Sequence, residues 1–88
     1  KLSHCQVQTM LGRIGVAKGF DVWIPPSDRG ALDWSMARQY ECRNRLPLSL
    51  REVSSIVAEI DVLWLGQGSS IVHSLFEIEH STPIYLVL

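Results

Sequence analysis

The chain has 88 residues and a mass of 9.9 kDa, with 47% of residues hydrophobic and 19% charged, which suits one small packed domain and excludes two. That charged fraction, with a mean hydropathy of +0.13, argues against disorder. No apolar run approaches the roughly 18 residues of a membrane span, and the start lacks a signal peptide's apolar segment. Cys5 and Cys42 belong to no C-x-x-C pair, so neither a disulfide framework nor a structural zinc site is expected, and a reducing, cytoplasmic setting follows. The net charge of −1 conceals a division: all eight Lys and Arg lie in residues 1–51, while residues 52–88 hold five acids and no Lys or Arg. Such asymmetry suits a polyanion- or cation-binding role, or ordinary solvated charges unevenly placed.

In chain order, residues 3–18 predict a helix. Val7, Met10, Leu11, Ile14 and Ala17 follow helical spacing, Ser3 with Gln6 has the form of a capping box, and Gly19 supplies a left-handed stop. Gly12 and Gly15 each weaken that helix by about 1 kcal/mol relative to Ala, which close approach of a neighbouring backbone would explain. Phe20–Ile24 predicts a short strand closed by Pro25-Pro26. Residues 27–51 have no clean period and predict a long excursion with one helical piece near Asp33–Glu41. Ile56–Leu65 and Ile71–Glu79 predict a β-hairpin around Gln67-Gly68-Ser69-Ser70, and Ile84–Leu88 is a last apolar segment after Pro83.

The hairpin carries the acidic residues. Side chains alternate along a strand, so Glu77 and Glu79 share one face and Phe76 and Ile78 take the other. Asp61 interrupts a largely apolar strand and shares its face with Leu63 and Leu65. Antiparallel pairing brings Asp61 beside Glu77 or Glu79, with strands about 4.8 Å apart. Two readings follow. The acids mark a solvated face with an edge-blocking charge, or they clasp a divalent cation, since no Lys or Arg remains nearby to offset their repulsion. Oxygen ligation would favour Mg²⁺ or Mn²⁺.

The Gln8-x-x-Leu11 helix, the aspartate in IDVLWL, the hairpin turn and the phrase FEIEHSTPIY together resemble the PD-(D/E)xK nuclease superfamily, the restriction-endonuclease-like fold. More narrowly, they resemble a bacterial branch with an FExEHST-type motif. The resemblance implies an α/β fold in which an N-terminal helix packs on a short mixed sheet and a β-hairpin carries the acidic residues. Residues 1–88 would be a single domain, incomplete at its C-terminal part and a piece of a longer protein. It implies a metal-dependent nuclease acting on DNA. Asp61 matches the metal-binding aspartate, with Ile60 where proline is usual, and Glu77 matches the second acidic ligand for Mg²⁺ or Mn²⁺. The Ile78 carbonyl matches the backbone ligand. Glu79 falls where most members keep lysine, and there it would accept a proton from the attacking water or hold a second metal. Gln8 falls on the helix position near the metal.

Arg29, Arg38, Arg43 and Arg45 are candidates for phosphate contacts. A homodimer and no membrane association complete the expected partners. Glu79 in the lysine position also supports an alternative, a degenerate nuclease fold that binds nucleic acid or protein without cutting. The apolar last segment suits a third, a structural or oligomerisation domain. His4 and Cys5 have no partner at zinc-ligand spacing, and His73 is expected to be structural.

Overall fold

The structure, a computed structural model, describes residues 1–79 and 85–87; the His80–Ile84 part of the FEIEHSTPIY phrase and Leu88 lie outside the described residues. Helix α1 spans His4–Ala17. Its expected cap forms in full: Ser3 Oγ accepts from the Gln6 amide at 3.1 Å, and Gln6 Oε1 accepts from the Ser3 amide at 2.9 Å. Gly19, at φ +89°, takes the left-handed conformation expected after the helix.

The apolar stripe expected on α1 is kept in part, since Val7 and Leu11 pack on the core, but the fully buried positions of the helix are others. Gln8, Thr9, Gly12 and Gly15 are its buried residues, whereas Ile14 is 46% exposed. Two aromatic rings explain the change, and they replace the backbone neighbour expected beside the glycines. A Cβ on Gly15 would lie 2.5 Å from Trp64 Nε1, and one on Gly12 would overlap the Tyr40 phenol. Both rings are anchored on the helix backbone: Trp64 Nε1 donates to the Leu11 carbonyl at 3.1 Å, and Tyr40 donates to the Thr9 carbonyl at 2.9 Å.

Strands β1 (Asp21–Trp23), β2 (Val62–Leu65), β3 (Val72–Glu77) and β4 (Tyr85–Val87) form one sheet in that order, antiparallel at every pairing. This corrects the expected mixed sheet. A parallel pair needs a crossover, usually a full helix. Between β1 and β2 the chain makes only the single turns α2 (Pro26–Arg29), α3 (Leu48–Arg51) and α4 (Ser54–Val57). The expected strand from Ile56 shortens accordingly to its last four residues.

The helical piece expected near Asp33–Glu41 does not form either. Asp33 caps its own turn by accepting from the Ser35 amide at 3.0 Å and hydroxyl at 2.6 Å, while its amide donates to Thr9 Oγ1 at 2.9 Å. Such local bonds compete with helix formation.

Both faces of the sheet are covered. Val22, Ile24, Val62, Trp64, Phe76 and Ile78 pack against Val7, Leu11 and Val16 of α1. Trp23, Leu63 and Leu65 pack on the other side with Ile60, Leu46, Leu50 and Val57. Among the described residues no helix is long and apolar enough to cross a membrane.

Because the Trp64 indole is buried and bonded to α1, it cannot yield to an added methyl group. Gly15→Ala is expected to lower stability by about 1–3 kcal/mol, measured by urea denaturation, despite alanine's better helix propensity.

Candidate metal centre

The site is assembled around one side chain, Gln8, which is 0% exposed. From the second turn of α1 its Nε2 donates to Asp28 Oδ2 at 2.9 Å and to the Asp61 carbonyl at 3.0 Å. One amide thus joins three separate pieces of chain: α1, the turn after β1, and the entry to β2. Its second polar atom, Oε1, is buried and has no hydrogen-bond partner.

Asp61 does not keep to the face of Leu63 and Leu65. The chain bends just before β2, so that Ile60, 1% exposed, joins the cluster of Leu63 and Leu65. The Asp61 carboxylate instead reaches the α1 side, with Oδ1 3.2 Å from His4 Nε2. Its Oδ2 accepts from the Ile78 amide at 2.6 Å, while its own amide donates to the Phe76 carbonyl at 2.9 Å. These bonds fix the carboxylate against the far end of β3.

His4, Asp28 and Asp61 each direct one donor atom to a common place, and those atoms lie within 4.8 Å of one another. Two carboxylates at that distance repel by about 3 kcal/mol at an effective dielectric constant near 20. Sequence reasoning missed His4 and Asp28 as members of this group. His4 and Gln8 stand four residues apart on one helix face, a spacing that could have paired them. Asp28 comes from a proline-led turn in the irregular excursion, where periodicity carries no signal.

Glu77 continues the β2–β3 register to a position opposite Asp61, since Val62 pairs with Phe76. It stands apart from the three-residue group. Phe76 and Ile78 pack toward α1, and alternation puts Glu77 on the other face. Partial desolvation raises its pKa above the usual carboxylate range, and the charges of Glu59, Glu79 and Asp61 raise it further. Glu79 is exposed.

The four arginines divide into two pairs. Arg29 Nε donates to the Ile24 carbonyl at 2.9 Å, and its guanidinium also reaches the Arg43 carbonyl. Arg43 binds Asp21 Oδ2 through Nε at 3.0 Å and through an Nη at 2.7 Å, with the Gly66 carbonyl at 3.0 Å. The amide of Gly68 and this guanidinium together hold the Asp21 carboxyl below its ordinary pKa. Both residues therefore tie the excursion to the sheet. Arg38 and Arg45 are exposed.

A model of the family described as the type II restriction enzyme NmeDI C-terminal domain matches residues 1–88, the whole chain. The chain belongs to this family. No curated protein and no solved structure matches it. Membership makes the domain restriction-endonuclease-related and supports a nuclease-related role.

The pKa of Glu77 supplies a test of the acidic surroundings. A carboxyl raised above its usual value of about 4.5 stabilises the fold when protonated, and that contribution is lost as pH rises through the folded pKa. Glu77→Gln is therefore expected to melt at a higher temperature than wild type at pH 7 in low salt. The difference should vanish below pH 4, as thermal unfolding followed by circular dichroism will show.

Proposed function

We propose that the chain is a metal-dependent nuclease domain that hydrolyses DNA phosphodiester bonds. The observation that carries this reading is the buried Gln8 amide bound at once to Asp28 and to the backbone of Asp61. It holds acidic side chains at a spacing that a cation would relieve. The NmeDI C-terminal domain family supports DNA as the substrate.

Asp61 would hold Mg²⁺ or Mn²⁺ through its carboxylate. Glu77, opposite it in the register but on the other face of the sheet, is the proposed second ligand and would have to reach round the end of β3, with the Ile78 carbonyl as the proposed backbone ligand. The donor set, carboxylate and carbonyl oxygens, suits such an ion. Bound there, the ion would supply Lewis acidity to the scissile phosphate. Glu79, exposed beside Glu77, would accept a proton from the attacking water as the water oxygen bonds to phosphorus and the ester bond breaks. Gln8 keeps Asp61 in place and takes no proton. Arg38 and Arg45 are available to phosphates, since both side chains are exposed. Arg29 and Arg43, also proposed as DNA contacts, would have to serve phosphate while keeping their carbonyl and carboxylate partners.

A second reading, a domain of this fold that binds nucleic acid without cutting it, draws on Glu79 in the position of the usual lysine. Plasmid nicking separates the two. Wild type is expected to nick supercoiled DNA in Mg²⁺ or Mn²⁺, with Asp61→Asn and Glu77→Gln each slowing it at least a hundredfold; binding without nicking under either ion would favour the second reading. Arg38→Ala and Arg45→Ala should each reduce the dependence of log K on log salt by about one, measured by fluorescence anisotropy.

A further inference from the structure

We propose that His4, Asp28 and Asp61 form a mixed nitrogen–oxygen site that binds a first-row divalent transition ion in preference to Mg²⁺. The proposal deepens the nuclease reading and rests on it for its chemistry, sharing Asp61 while bringing in two residues outside the Asp61–Glu77 pair.

Three observations carry it. The imidazole and the two carboxylates each offer an atom within 4.8 Å of the others, about twice an ordinary metal–ligand bond of roughly 2.1 Å. Each ligand is independently held: His4 sits on the first turn of α1, Asp28 accepts from Gln8, and Asp61 accepts from the Ile78 amide. The third observation is Gln8 itself. Its amide lies against both aspartates, is 0% exposed, and leaves Oε1 without a donor. A buried carbonyl oxygen with no partner loses its hydration without compensation, and a cation beside it, or a water that the cation carries, restores the balance.

Ligand chemistry sets the preference. Mg²⁺ favours oxygen donors and keeps much of its water. An imidazole nitrogen among two carboxylates shifts selectivity toward Mn²⁺, Co²⁺ or Zn²⁺. Gln8 would act as a positioning residue, holding Asp28 and the Asp61 backbone at the spacing the ion requires.

The test is a Mn²⁺ titration of the chain followed by electron paramagnetic resonance, with spin-echo detection of ¹⁴N coupling and competition by Mg²⁺. Wild type is expected to bind Mn²⁺ with a ¹⁴N signal, and Mg²⁺ should displace it only at tenfold or higher excess. His4→Ala should lose the ¹⁴N signal and weaken Mn²⁺ binding at least tenfold; if that variant unfolds, His4→Gln should show the same two losses. Asp28→Asn should weaken binding similarly. Retention of the ¹⁴N signal in the folded His4 variant would overturn the proposal. So would loss of Mn²⁺ in Glu77→Gln but not in His4→Ala, or absence of millimolar Mn²⁺ binding by wild type. Plasmid nicking separates the two ideas: bound Mn²⁺ without nicking contradicts the nuclease reading alone, whereas nicking with Mn²⁺ binding independent of His4 contradicts this site alone.

Discussion

A single buried amide holds the acidic end of this domain together. Gln8 is fully inside the protein, on a helix whose other fully buried residues are Thr9, Gly12 and Gly15. Removing an amide from water is unfavourable unless its hydrogen bonds are replaced. Here Nε2 finds two acceptors, one on the turn carrying Asp28 and one at the entry to β2. The positions of α1, that turn and the hairpin are therefore coupled through one side chain. The satisfied half of the amide fixes the geometry; the other half, Oε1, is buried without a hydrogen-bond partner.

The same coupling goes with a helix that keeps Val7 and Leu11 on the core but turns Ile14 to solvent. Glycine at positions 12 and 15 lets Tyr40 and Trp64 come against the helix, and their polar atoms then bond to its carbonyls. That close approach brings Gln8 within reach of the sheet. The intrinsic helix penalty of two glycines, about 2 kcal/mol together, is offset by aromatic burial and by these bonds. The excursion is held on the same principle. Arg29 and Arg43 fasten it to β1 and to the β2–β3 turn, and Thr9 fastens it to α1. Basic residues that look available for phosphate in the sequence thus have structural duties as well.

What was legible in the sequence follows from how local each feature is. The capping box, the Gly19 stop and the hairpin are decided by residues a few positions apart, and all three form. Alternation also put Phe76 and Ile78 on the face away from Glu77, and both pack in the core beside α1. The register set by Val62 and Phe76 puts Asp61 opposite Glu77. The misses lie where distant contacts or competing local bonds decide. Asp61 follows a bend that shifts its side chain off the expected face, and no periodicity reports a bend. Asp33 uses its side chain to close a turn in place of the expected helix. His4 and Asp28 meet only because α1 packs over the end of the sheet, and a sequence read piece by piece does not show that packing. What is shown of the family is coarser than the motif reading: the chain belongs to the type II restriction enzyme NmeDI C-terminal domain family over residues 1–88.

The account stands or falls on whether Gln8 is locked between the two aspartates. Hydrogen exchange of the side-chain amides, read by ¹⁵N–¹H correlation spectra, measures this directly. The Gln8 Nε2 protons should exchange far more slowly than those of Gln39, Gln67 and Asn44, and they should shift when a divalent ion is added. Exchange as fast as that of the other three side chains, unchanged by the ion, would contradict the account.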